Sequence, residues 1–149
     1  MSAISGCSAP HEKVLVEAKS AAFPAGRILI PSPLALQDVV ATVSPGRVIT
    51  VSALREALAR SFGADYTCPV TTGIVLRIGA DAAEEDRGNG ATDVMPWWRV
   101  VRDDGSLFEK FPGGAARHAA RLAQEGVAIH REGGIPRRVA DIVHRTTCR

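Results

Sequence analysis

Met95-Pro96-Trp97-Trp98-Arg99-Val100-Val101 holds both tryptophans of a 149-residue chain in which aromatic side chains make up only 5%. Tryptophan is large and often packed as core. Its indole face is also a platform on which a base can stack. Asp103-Asp104-Gly105 then supplies a turn. Pro112-Gly113-Gly114 precedes a helix expected from Ala115 to Glu125, and Gly126 closes it. Val127 to Ile129 and Arg138 to Ile142 are expected to pair as a small β element across the Gly133-Gly134 turn.

Upstream, the chain reads as helices separated by short extended pieces. A loose tail is followed by a short helix expected over Val14 to Ala22. Arg27 to Ile30 is an apolar run with strand character. Ser32-Pro33 starts a helix, with serine at the N-cap and proline at the first helical position. Leu36, Val39, Val40 and Val43 follow at helical spacing. After Pro45-Gly46, Arg47 to Val51 is β-branched. Ser52 is the expected cap of a helix over Ala53 to Phe62, stopped by Gly63. Thr67 is the expected cap of a third helix that opens with Pro69 and breaks at Gly88-Asn89-Gly90. Two helices joined by a short turn, the second starting with polar Thr71-Thr72, outline a helix-turn-helix; any helical hairpin shares that outline.

With 46% hydrophobic and 23% charged residues, one core in one domain is expected, not a disordered chain. No apolar run has membrane-spanning length, no secretory signal is legible, and a cytoplasmic location is expected. The net charge of +2 does not by itself imply a nucleic-acid partner. Arginines crowd the last third, at Arg117, Arg121, Arg131, Arg137, Arg138, Arg145 and Arg149. Their planar forks suit phosphate oxygens, although a codon bias would give the same excess. Three cysteines form no disulfide framework. Cys7 with His11, and His144 with Cys148, would make a tetrahedral zinc set if the termini met.

From Pro45 to Val127 the chain resembles the DNA-binding domain of the alkylguanine-DNA alkyltransferases. Pro45-Gly46-Arg47-Val48-Ile49-Thr50 resembles the segment that leads into the family's helix-turn-helix. Pro96-Trp97-Trp98-Arg99-Val100 stands where the family has Pro-Cys-His-Arg-Val. Arg102-Asp103-Asp104-Gly105-Ser106-Leu107, Gly113-Gly114 and Leu122-Ala123-Gln124-Glu125-Gly126-Val127 follow in order. The chain is most similar to the alkyltransferase-like group, whose members carry tryptophan at the acceptor position. Cys68-Pro69-Val70-Thr71-Thr72-Gly73 also resembles a less-characterised branch of the superfamily. The resemblance implies a mainly α fold with small β elements, a winged helix-turn-helix-like domain over 27–149 behind a tail and short helix over 1–26.

Alkyl transfer needs a thiolate nucleophile, a histidine base acting through water and a carboxylate that orients it. The matching positions hold Trp97, Trp98 and Ala119. An indole cannot replace a thiolate, so the resemblance implies binding without repair chemistry, no enzyme and no cofactor. It implies recognition of alkylated bases in duplex DNA by flipping into a pocket of Trp97, Trp98, Phe111 and Pro112. A monomer that signals to nucleotide-excision repair proteins is the expected form. The DNA contacts would come from Ser52, Arg55, Val70, Thr71, Thr72, Arg99 and Ser106. Cys68, at a helix start where a thiol pKa falls, is an alternative nucleophile or a small buried residue. The family's inserted arginine and its phosphate-rotating tyrosine are here Val70 and Val51. Those two departures motivate the alternative, a protein-interaction or regulatory module that keeps the fold without lesion recognition.

Overall fold

A computed structural model describes residues 14–18, 26–140 and 142. Strand β1 (Val14–Ala18) pairs antiparallel with β2 (Gly26–Ile30) in unbroken register from Val14↔Ile30 to Ala18↔Gly26. The short helix expected over Val14 to Ala22 is therefore a strand as far as Ala18, and residues 19–22 lie outside the described residues. Val14-Leu15-Val16 favours extended backbone, and β2 offers the ladder that satisfies it.

Helix α1 (Pro33–Ala41) begins as its sequence dictates, with the Ser32 hydroxyl accepting from the Ala35 amide at 3.1 Å. The short strand β3 (Ile49–Thr50) leads straight into α2 (Val51–Phe62). Thr50, not Ser52, caps that helix. Its backbone is extended and its Oγ1 accepts from the Ala53 amide at 3.2 Å, whereas Ser52 already lies within the first turn. Gly63, at φ 68°, closes α2 in the left-handed conformation open to a residue without Cβ.

The turn of the helix-turn-helix is anchored from outside. Its strand β4 (Tyr66–Thr67) runs parallel to β2, and the Asp65 and Cys68 amides donate to the Arg27 and Leu29 carbonyls at 2.9 Å. Helix α3 (Pro69–Gly88) follows, capped by Cys68 in place of the expected Thr67. The Thr67 hydroxyl instead donates to the Arg55 carbonyl at 2.8 Å and joins the turn to α2.

The tryptophan pair forms a single 3₁₀ turn, Trp97–Arg99, that passes into β5 (Val100–Val101). β5 runs parallel to β3, with Ile49 opposite Val100 and Thr50 opposite Val101. The start of α2 and the tryptophan turn are thus held side by side. Helix α4 (Gly114–Gln124) packs behind them. Strands β6 (Ile129–Glu132) and β7 (Ile135–Val139) make an antiparallel hairpin around Gly133-Gly134, both at positive φ as a tight two-residue turn requires. The expected hairpin is present, with its paired residues drawn closer to the turn.

The core gathers one face from each helix around the turn: Leu36, Leu54, Leu58, Leu76, Trp97 and Leu122 are all almost inaccessible. No helix among the described residues is long and apolar enough to cross a membrane.

Candidate nucleic-acid interface

Trp97 has no exposed surface. Trp98, Phe111 and His118 surround its ring at centroid distances of 5.8, 5.5 and 5.5 Å. Its Nε1 donates to Glu84 at 3.2 Å. Trp98 is buried as well; its Nε1 donates to Glu125 at 3.0 Å, and the guanidinium groups of Arg87 and Arg99 both lie 5.8 Å from its ring centre. Each indole N–H, costly to bury alone, therefore meets a carboxylate.

Those carboxylates are the polar anchors of the domain. Glu84, with its side chain 8% exposed, also accepts from Arg121 at 2.8 Å and Arg117 at 3.1 Å. Burial works to raise its pKa, but hydrogen bonds from Arg121, Trp97 and Arg117 hold it below the ordinary value. Glu125 is likewise kept low against its burial by Arg99, Trp98 and the Gly46 amide. Arg99 binds Glu125 through Nε and Nη2 and donates from Nη1 to the Val43 carbonyl at 2.7 Å. Fully engaged, Arg99 fixes the loop and is not presented to a ligand.

His118 on α4 is enclosed too. Its Nδ1 accepts from the Phe108 amide at 3.1 Å, which leaves the proton on Nε2, 2.8 Å from the Trp98 carbonyl it donates to. Burial lowers its pKa to about 4. The unfolded chain, with an ordinary value of 6.5, binds that proton first, so His118 lends full stability above pH 6.5 and loses it as pH falls towards 4. The expected loss at pH 5 is about 2 kcal/mol. Urea unfolding at pH 7, 6 and 5 should show that slope in the wild type and a flatter one in His118→Gln. Equal slopes would remove His118 from the explanation.

An open cleft of about 360 Å³ lies in front of this aromatic cluster. It is lined by Val51, the α3 residues Val70, Gly73, Ile74, Leu76 and Arg77, and by Arg102, Phe108, Lys110 and Phe111. Of the four expected pocket residues, Phe111 alone lines it. Trp97 and Trp98 pack behind that wall, and Pro112 is also absent from the lining. The expectation of a pocket walled directly by Trp97 is thus corrected: the turn that carries it faces inward, where Glu84 takes its N–H. Phe108 stacks on Phe111 at 4.4 Å, and the Arg102 guanidinium stands 4.7 Å from the Phe108 ring centre.

The expected DNA contacts divide in the same way. Val70 is 59% exposed at the mouth of the cleft. Thr72 is buried, its hydroxyl donating to the Cys68 carbonyl at 2.7 Å, and cannot reach a ligand. The Thr71 hydroxyl bonds to the Cys68 sulfur at 3.4 Å. Ser52 gives its amide and hydroxyl to Asp103, at 2.9 and 2.6 Å, which lowers the Asp103 pKa. Arg55 reaches the Ser52 hydroxyl at 3.4 Å and lines a different groove with it, between α2 and β4. Ser106 bonds to Asp104. Ala119, at the family's carboxylate position, is core. Cys68 is buried and accepts from the Thr71 amide at 3.5 Å; burial works to raise its pKa, but the Thr71 bonds bring it below the usual thiol value. It does not line the cleft. Among the described residues no cluster of metal ligands exists, and Cys7, His11, His144 and Cys148 lie outside them.

Neither a family model nor a curated protein matches the chain. Solved structures do. S. pombe Atl1, in complex with damaged DNA containing O6-carboxymethylguanine, superposes with a TM-score of 0.50 at 18% identity, over 78% of this chain and 94% of that one. The chain has the Atl1 fold. S. pombe ATL in complex with DNA gives the same TM-score and coverage at 20% identity. Nearly all of the Atl1 chain is matched, so what this protein adds to the Atl1 fold amounts to about a fifth of its own length.

Proposed function

We propose that the protein binds duplex DNA through α3 and receives an alkylated guanine, turned out of the helix, in the cleft before Phe111, without chemistry on it. The observation that carries the reading is that cleft: it opens beside the exposed start of α3, three basic side chains rim it, and two solved structures of this fold hold DNA. Its volume falls in the range of roughly 300–1,000 Å³ typical of small-ligand clefts. Apolar walls with an aromatic face suit a base whose pairing is already impaired, for which extrusion costs least. Arg77, Arg102 and Lys110 supply charge for the phosphates. No thiolate or histidine base lines the cleft, so the bound base leaves unchanged, and the complex itself is the signal to excision-repair proteins.

Gly73 provides the test. It lines the cleft, it is exposed, and a Cβ there meets nothing within 4 Å. Gly73→Leu should fill the cleft while favouring the helix by about 1 kcal/mol. Fluorescence anisotropy with two duplexes differing in one O6-alkylguanine should show a preference of about tenfold in the wild type. The variant should bind both duplexes alike and melt no lower. Equal wild-type affinity for the two duplexes would overturn lesion recognition.

A second reading, a protein-interaction module without lesion recognition, is favoured by the closure of Trp97 and by the exposed apolar row Val70, Ile74 and Ile78 on α3. Absence of DNA binding in the same experiment would select it.

A further inference from the structure

We propose that the β6–β7 hairpin is a second contact surface for the phosphate backbone of duplex DNA, continuous with the α3 cleft through Arg102. The inference rests on the DNA-binding reading and adds to it a site on another element. Two clefts meet at Arg102: the one before Phe111, and a second of about 380 Å³ between the 102–109 loop and the hairpin, bordered by Ser106, Glu109, Glu132, Arg137 and Arg138. Arg102 stands between them, placed by the Phe108 ring.

The hairpin is fixed relative to that arginine. The Leu107 amide donates to the Arg137 carbonyl at 3.0 Å, and the Val139 amide to the Gly105 carbonyl at 2.9 Å. Val139 is buried, whereas Arg131, Arg137 and Arg138 are exposed. The β7 backbone and the apolar side chains of Val139 and Ile129 therefore hold the hairpin, and its exposed arginines lie outside the core. Arg137 meets Glu132 at 3.4 Å with both side chains at least half exposed, a pair that water and salt weaken. Arg131 bonds its neighbouring Gly134 carbonyl at 3.4 Å. Glu109, Glu132 and Asp104 are the acids nearby; Asp104, though bonded to Ser106, keeps its negative charge and interacts with Arg138, so a phosphate competes with Glu132 for Arg137 and with Asp104 for Arg138. Guanidinium forks on a rigid ribbon, in line with a basic cleft rim, match a run of phosphates, to which planar double donors bind in pairs of hydrogen bonds.

A backbone contact carries no lesion preference. The double variant Arg137→Ala/Arg138→Ala should weaken binding to alkylated and plain duplexes equally. The slope of log affinity against log salt should fall by about 1.8, two contacts at roughly 0.9 each. Between 50 and 200 mM salt the variant should thus lose about tenfold less affinity than the wild type. Arg137→Lys/Arg138→Lys should keep most of the slope, and thermal melting should confirm an intact fold in both. An unchanged slope in the alanine variant overturns this inference alone. A wild type that binds neither duplex overturns the DNA-binding reading, and this inference with it.

Discussion

Trp97→Ala should cost about 3–5 kcal/mol of stability, the range for emptying a buried aromatic site. In a chain of 149 residues that lowers the melting temperature by roughly 10–20 °C. The size follows from its surroundings. The indole is wholly buried against Trp98, Phe111 and His118, and those rings are themselves pinned, His118 by two backbone hydrogen bonds and Trp98 by Glu125. A site so braced collapses poorly, so a cavity remains. Glu84 also loses one of its donors. Trp97→Phe, which keeps an aromatic ring but not the N–H, should fall between wild type and alanine. Calorimetry decides the matter. A Trp97→Ala protein that melts within two or three degrees of wild type and merely loses lesion preference would mean that the indole faces the ligand after all.

Periodicity and caps made much of the fold legible. Ser32-Pro33, Gly63 and Gly88-Asn89-Gly90 mark helix ends that the structure places there or one residue away. The misplaced caps have a common cause. Ser52 and Thr67 are good capping residues by type, but each hydroxyl finds a tertiary partner, Asp103 and the Arg55 carbonyl, and the cap falls to Thr50, two residues earlier, and to Cys68, the next residue. The segment from Val14 became a strand for a similar reason: its partner, β2, is a feature of the sheet and not of the segment itself.

The site was harder to read because sequence order does not say which way a turn faces. Trp97 packs against Phe111, which lines the candidate cleft, but neither Trp97 nor Trp98 lines it. In the acidic run Glu84-Glu85-Asp86 near the end of α3, Glu85 and Asp86 are exposed. Glu84 nevertheless continues the buried stripe of Leu76, Ala80 and Ala83 at helical spacing. That phase was the available signal for a buried carboxylate. Nothing local marks His118 or Lys110, whose roles depend on elements distant in the chain.

Glu84→Ala should cost about 3 kcal/mol, the lower end of the range for breaking a buried ion pair from one side. Its side chain is 8% exposed and Arg121 is 16% exposed, so removing the carboxylate strands a guanidinium with little access to water. Arg117, half exposed, can turn to solvent and contributes less. The indole N–H of Trp97, already sealed from water, loses the Glu84 acceptor it has among the described residues. A double-mutant cycle with Arg121→Ala separates these costs, since the two residues are in contact and their effects should not add. The combined variant should be less than the sum of the single losses, because deleting both leaves no stranded charge. The acid limb gives an independent check. Glu84 has a lowered folded pKa, so its contribution is present above the unfolded value of 4.5 and is lost as pH falls through the folded one. The wild type should lose stability first between pH 6.5 and 4, as His118 charges in the unfolded chain, and again below 4.5 as Glu84 and Glu125 protonate. Glu84→Ala should start lower and show a shallower second stage. Additive losses in the cycle, with an unaltered acid limb, would mean that Glu84 and its arginines are surface groups in solution and that Trp97 is held by packing alone.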